Sequence, residues 1–333
     1  MNCGARDWPT TREKMPPLRY LRSTDIHGVW TYSLLNIDRA MEEAGILSLS
    51  NRQSKEMILI AKAMSRLRLV RNVFRSSRGP VFVSCMGFSE SRIIPISFYN
   101  EIIPYCFECW PNLYERWMSF FKRQRVRLAF FSARQSALHF AKALPNMRSE
   151  WLPEACDPSE YSPSKSWRER DIDVLELGRK YDEFHNRIQE PLAKANRTHL
   201  YERVKGQIIF PEQAGLIDGF ARSKISICFP SSQTHPERSG SVETATFRYF
   251  QSLASKCLIL GHAPQELKDL FGYNPVVEVQ EGYEFEQIDS LLSRPDSCRD
   301  LIESNYRRLM QIGTWERRVE RIFDTLLDHS ALG

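Results

Sequence analysis

Nowhere in this sequence does an apolar run approach the roughly 18 residues that a helix needs to cross a bilayer. The opening residues, Met1-Asn2-Cys3-Gly4-Ala5-Arg6-Asp7, also lack the basic-then-apolar pattern of a secretory signal. The expectation is a cytoplasmic chain. Metal-ligand spacing is scarce too. The eight cysteines are scattered and mostly sit in apolar runs, as reduced thiols do. Cys106-Phe107-Glu108-Cys109 has C-x-x-C spacing, but a zinc site built on it needs a second His or Cys pair, and no comparable pair follows. We therefore expect no bound metal. Buried strand-end cysteines are the simpler reading of the pair, with redox chemistry as the alternative. No nucleic-acid motif accompanies the basic residues, so nucleic acid is not an expected partner.

What is present suits a globular protein. Hydrophobic residues make up 42% and charged residues 26% of the 333, and this length exceeds what one core fills, so two domains are expected. Charge is uneven. Residues 1–150 carry 23 Lys+Arg against 12 Asp+Glu, and the remainder 23 against 29. Two clusters supply much of the excess: Arg66, Arg68, Arg71, Arg75 and Arg78, and then Lys122, Arg123, Arg125 and Arg127 after Trp117, Phe120 and Phe121. Basic residues beside exposed aromatics dock on anionic membrane. The same residues with the aromatics turned inward are a solvated helix face.

Strand and helix patterns alternate. Short apolar runs at 18–22, 81–86, 102–107 and 127–131 read as strands, although Pro104 weakens the third. Helical spacing marks 32–44 (ended by Gly45), 53–72 and 113–122, and Ser132 is the expected cap of a helix over 133–143. Asp157 to Ser166, rich in Pro and Ser, reads as an interdomain linker. Strands then recur at 172–178, 207–210, 224–229, 257–260 and 276–279. Helices recur at 181–195, 243–254, 264–271, 283–293 and 297–329. This is the pattern of two α/β units with parallel sheets, whose ligands bind beyond the carboxyl ends of the strands.

The stretch from Ser239 to Gly261 is the most informative. A small-residue loop containing Gly240 leads into the helix expected over 243–254. Helix starts favour anions, and a spacing of eight residues puts Glu243 and Gln251 on nearly one face. That arrangement suits a nucleotide-sugar site. An amphipathic helix with a polar cap is the alternative.

Several segments, in order, resemble GT-B glycosyltransferases, and the CgeB-like "glycosyl transferases group 1" set in particular. Trp151-Leu152-Pro153-Glu154-Ala155-Cys156-Asp157 resembles the crossover into the second domain. Leu177-Gly178-Arg179-Lys180 resembles the Gly-Arg turn that meets the donor diphosphate. Phe220 to Pro230 resembles the strand bearing the donor-side loop. Glu243 to Gln251 resembles the family's two glutamates separated by seven residues. Pro264-Gln265-Glu266-Leu267 resembles the following turn, and Trp315-Glu316-Arg317-Arg318 the last helix, which crosses back toward the first domain. Over 1–150 the resemblance rests on fold order and on Val29 to Leu34 beside a loop glycine.

The resemblance implies an α/β GT-B fold with two Rossmann-like domains facing a central cleft. Residues 1–156 would form the acceptor side and 157–310 the donor side, with 311–333 the returning helix. It implies metal-independent transfer, with no cofactor, of a sugar from a nucleotide-diphosphate sugar to a polysaccharide, glycolipid or glycoconjugate. Arg179 and Lys180 would meet the diphosphate. Glu243 would hold the donor sugar, and Gly240, Thr244, Thr246, Arg248 and Gln251 would complete the donor site. Gln251 departs from the family's glutamate, which typically binds the ribose; an amide still hydrogen-bonds but lacks charge. Ser255-Lys256 also replaces the usual glycine. An inverting enzyme needs a base facing the cleft, and His27, Glu90 and Glu108 are the candidates. The polar loop Ser231 to Gly240, with His235, Glu237 and Arg238, is read as a mobile flap over the donor, with a plain surface loop as the alternative. A glycan or lipid-linked acceptor, and an anionic membrane surface at the inner face reached through Arg66–Arg78 and Lys122–Arg127, are the expected partners. A non-catalytic nucleotide-sugar-binding protein, and an epimerase or phosphorylase of the same fold, are the alternatives.

Overall fold

The computed structural model describes residues 18–23, 32–50, 54–67, 79–88, 90–97, 100–161, 163, 165–204 and 206–331. His27, Val29 to Thr31, and Arg68, Arg71, Arg75 and Arg78 lie outside the described residues; of Arg66 and Glu90 only the backbone is described.

The first half alternates β1 (Arg19–Leu21), α1 (Tyr32–Glu43), β2 (Leu47–Leu49), α2 (Lys55–Arg66), β3 (Val81–Met86), α3 (Glu90–Ser97), β4 (Ile102–Phe107), α4 (Tyr114–Gln124), β5 (Leu128–Phe131), α5 (Arg134–Ala143) and β6 (Arg148–Trp151). Its six strands form one parallel sheet in the order β2-β1-β3-β4-β5-β6. Helices cover both faces, so β3, β4 and β5 read as continuous apolar runs. Pro104 sits within β4 opposite Val83, while the ladder to β5 begins at Tyr105, one residue past it.

The second half runs β7 (Ile172–Glu176), α6 (Asp182–Lys194), β8 (His199–Tyr201), α7 (Gln213–Ala221), β9 (Ser223–Cys228), α8 (Ser231–Thr234), α9 (Pro236–Ser239), α10 (Phe247–Ala254), β10 (Leu258–Gly261), α11 (Gln265–Phe271), β11 (Val277–Glu278), α12 (Glu284–Ser293), α13 (Asp296–Ile312) and α14 (Trp315–Ala331). Its sheet is parallel in the order β11-β10-β9-β7-β8. Each sheet reverses its winding once, between β1 and β3 and between β7 and β9, and those points are where open α/β sheets form crevices.

Several sequence expectations need correction. Residues 207–210 form no strand; the pairing strand is β8, whose backbone matches β7 from Val174↔His199 onward. The helix expected over 297–329 is two helices, broken at Gly313-Thr314. Ser132 does not cap α5: the N-cap is Ala133, with no side-chain bond. Trp117, Phe120 and Phe121 are buried in the first core, so α4 presents its cations without exposed aromatics. The simpler reading of the C-x-x-C pair holds: Cys106 and Cys109 are buried free thiols, and burial pushes both well above the ordinary thiol range. No helix among the described residues is long and apolar enough to cross a membrane.

The halves are tied at the back of the molecule. α14 returns to the first half, where Trp315, Val319 and Ile322 join Leu34, Ile37 and Phe82 in one core. Cys156 bridges Thr314 in parallel register. Arg318, fully enclosed, donates from Nε to Pro153 O (2.7 Å), from Nη1 to Ile312 O (2.7 Å) and from Nη2 to Glu154 O (3.2 Å). Burial lowers its pKa to about 10, so those carbonyls, rather than water, solvate the cation.

Candidate functional site

A cleft of about 350 Å³ opens between the carboxyl ends of the two sheets. The first half lines it with Met86 at the end of β3, Glu108 and Trp110 after β4, Ser132 after β5, and Glu154. The second half contributes Gly178 and Arg179 after β7, Phe229 and Ser231 after β9, and Thr244, Thr246, Arg248 and Gln251 around the start of α10.

The Gly178 turn is built for close approach. Its φ of +68° is left-handed, and a Cβ there would stand 2.6 Å from Arg248 Nη2. Glycine thus satisfies the backbone and admits the guanidinium. Arg179 follows at the open side of the cleft. Partial enclosure, then the neighbouring cation Arg238, lower its pKa, with Glu108 opposing and Arg248 adding to the effect. Neither Arg179 nor Arg248 has an ion-pair partner among the described residues. Cations crowded in this way favour an anion between them.

The segment before α10 is not helical, with Thr246 N turned onto Thr244 O at 3.0 Å, which corrects the expected helix over 243–254. α10 begins only at Phe247, with Thr246 (φ −68°, ψ 162°) as its N-cap. Val242, Thr244 and Thr246 are β-branched and resist helix formation, and Ala245 N donates to Glu266 rather than to a helical carbonyl. Glu243 and Gln251 therefore do not share a helix face. Glu243 is not part of the cleft lining: its carboxylate lies 3.5 Å from His262 Nε2 and accepts from Ser232 Oγ at 3.4 Å. Gln251 lines the cleft, and its Nε2 donates to Tyr161 Oη at 3.0 Å.

Lys180 turns away from Arg179. Its Nζ donates to Glu202 O at 3.2 Å and lies over the Tyr201 ring. Gly240, at φ +54°, ends α9 outside the cleft lining and packs toward Pro111. The polar loop over Ser231 to Gly240 is folded into α8 and α9, and Arg238 pairs with Glu108 across the cleft at 3.2 Å.

Two buried carboxylates join the walls, and sequence reasoning gave neither a role. Glu266 Oε1 accepts from Thr244 Oγ1 (2.9 Å) and Ala245 N (2.7 Å), and Oε2 accepts from Arg134 N (2.8 Å) of the first half. Glu154 Oε2 accepts from Phe247 N, the first amide of α10, at 3.0 Å. Burial pushes Glu266 up to about 7 and Glu154 up to about 8. Both glutamates lie in segments that carried the family resemblance. Their available signal was a carboxylate at a helix start for Glu266 and one set among apolar neighbours for Glu154.

No protein-family model and no curated protein sequence matches this chain. Solved structures do match in shape. The Anabaena protein HepE, solved with UDP and glucose, superposes with a TM-score of 0.56 at 8% identity, covering 94% of this chain and 100% of that one. An α-glucosyltransferase solved with UDP and a 13-mer DNA containing a HMU base gives 0.59 at 10% identity, covering 94% and 100%. AviGT4, a glycosyltransferase involved in avilamycin A biosynthesis, gives 0.57 at 11% identity, covering 95% and 98%. At such identities the likeness is one of fold. Two parallel sheets of six and five strands, helices on their faces and a cleft between their carboxyl ends give this chain the GT-B fold.

Proposed function

We propose that this chain transfers a sugar from a nucleoside-diphosphate donor to an acceptor hydroxyl. One observation carries the reading: the guanidinium groups of Arg179 and Arg248 flank the Gly178 turn in the cleft, with no carboxylate paired to either among the described residues. Unpaired cations there fit a diphosphate and offset the charge that grows on it as the sugar departs. They fill the role a metal would take, so transfer is proposed to be metal-independent. HepE and the α-glucosyltransferase were solved with UDP, which makes UDP-sugars the first donors to test.

The remaining roles follow from position. Gln251, with its amide nitrogen on Tyr161, keeps its carbonyl oxygen for a ribose hydroxyl. Thr246 offers its hydroxyl to the donor. Glu108, at φ +47° after β4, faces the cleft from the first half and is the proposed base, with His27 the second candidate. The acceptor is proposed to be a glycan or a lipid-linked sugar, met at the cytoplasmic face of a membrane through the cations of α4. The CgeB-like resemblance is the finer family reading.

The test is donor binding by thermal shift. UDP-sugars should raise the wild-type midpoint, because a ligand selective for the native state stabilises it. The double variant Arg179→Ala/Arg248→Ala should lose affinity by about 10–100-fold, the loss of one to two charge-assisted bonds, with its ligand-free midpoint preserved. Undiminished donor binding in that variant overturns the assignment. A second reading, nucleotide-sugar binding without transfer, is favoured by the placement of Glu243 away from the cleft. Product analysis over a broad acceptor panel separates the two.

A further inference from the structure

Behind the Gly178 turn lies a cluster of ionisable side chains that the cleft does not use. Glu176 ends β7, His185 comes from α6 and His199 opens β8. Their side chains are 2%, 6% and 5% exposed. Glu176 Oε2 lies 2.5 Å from His185 Nδ1 and 3.3 Å from His199 Nε2. One donor atom from each residue lies within 4.8 Å of the others. Glu176 Oε1 and both ring nitrogens of His199 are buried without a hydrogen-bond partner among the described residues; the 3.3 Å approach of His199 is close but not aligned as a bond. The Tyr201 ring closes one side, with centroids 4.7 Å from His185 and 4.6 Å from His199.

We propose that Glu176, His185 and His199 bind a divalent cation, Zn²⁺ by the chemistry of the donors. One carboxylate and two imidazoles are a zinc ligand set, completed by water as the fourth ligand. Tetrahedral bonds of about 2.1 Å place ligand atoms about 3.4 Å apart. The Glu176–His199 separation already matches. The Glu176–His185 contact is the length of a proton-bridged pair. The cation displaces that proton to solvent, and the pair opens by roughly 0.9 Å to reach ligand spacing. Burial makes an unsatisfied imidazole nitrogen costly, and a cation held by Glu176 Oε2 and His185 Nδ1 supplies the missing partner of His199 Nε2. Ligands drawn from three elements are invisible to a search for close pairs in the chain. The site joins β7, α6 and β8, whose next residues include Gly178, Arg179 and Glu202 of the cleft wall. The ion braces that wall and takes no part in sugar transfer, so the proposal stands independently of the one above.

The experiment uses the full chain without an affinity tag, stripped by chelator and titrated with Zn²⁺ at neutral pH against a chromogenic chelator. The expected result is one equivalent held per chain, with a raised melting midpoint that EDTA reverses. His199→Ala and Glu176→Gln should each abolish that equivalent. Should either variant fail to fold, the Co²⁺-loaded wild type should show the intense visible bands of a four-coordinate ion. No stoichiometric uptake by the wild type, uptake undiminished in both variants, or a six-coordinate Co²⁺ spectrum overturns the site.

Discussion

At the scale of single residues, Gly178 has the sharpest requirement. Its left-handed φ and the 2.6 Å approach of Arg248 Nη2 act on different things. The first is a stability constraint and the second a placement of charge. Gly178→Ala should cost about 1 kcal/mol of stability from backbone strain, which urea unfolding measures. Because the end of an arginine moves cheaply, the larger effect should fall on donor affinity, read by the same thermal shift; an unchanged affinity would show that Arg248 is not held by this turn. Much at this scale was legible in the sequence. Gly-Arg-Lys marked the turn, and Arg179 and Gln251 do reach the cleft. Lys180 was placed by the family resemblance and Glu243 by spacing and resemblance, and neither tells which way a side chain turns once a neighbour such as the Glu202 carbonyl or His262 competes for it.

At the scale of elements, local propensity decided what could be read. The buried strands β3, β4, β5 and β9 announce themselves as apolar runs. β2, β6 and β8 are short, with partly exposed edges, and carry little signal. The start of α10 lies later than the spacing suggests because Glu243 to Thr246 sits next to good helical spacing, while tertiary bonds to Glu266 hold it out of the helix. Residues 207–210 show the same override. Phe210 looks like a strand residue, yet its ring lies against Gly219 of α7, where a Cβ would meet Phe210 Cζ at 2.2 Å. Helix propensity alone makes Gly219→Ala stabilising by about 1 kcal/mol. We expect the opposite, a loss of about 1–3 kcal/mol from overpacking, together with displacement of Phe210 from the cleft. Urea unfolding of the variant gives the sign, and a more stable variant refutes the packing argument.

At the scale of the whole molecule, the alternation of strand and helix was visible in the sequence, and the return of the last helix was implied by the family resemblance alone. The buried acids that lock the halves together were not visible, because a glutamate at a helix start or among apolar neighbours does not tell which distant amide it will meet. Those acids set a pH dependence. Glu154 is pushed up to about 8 by burial and then by repulsion from Glu108, and Glu266 up to about 7 by burial. Between the ordinary value of 4.5 and those values the native chain holds protons that the unfolded chain releases. The contribution of these two groups to stability is therefore greatest below about 4.5 and is lost as pH rises through 7 and 8. Glu154→Gln keeps an acceptor for Phe247 N and removes the titration. Its melting midpoint should fall less steeply than that of the wild type between about pH 5 and 8; parallel slopes would show that Glu154 does not titrate in that window.

The returning helix also fixes an order of events during synthesis. Leu34, Ile37 and Phe82 leave the ribosome more than two hundred residues before Trp315, Val319 and Ile322, which cover them. Until the final helix emerges, the first half carries an uncovered apolar face, while the second half can gather its own strands and helices around a core that needs nothing later than Ile312. The second half thus closes its core before α14 is made, while one face of the first half, whose other face is packed by residues up to Trp151, must wait for α14.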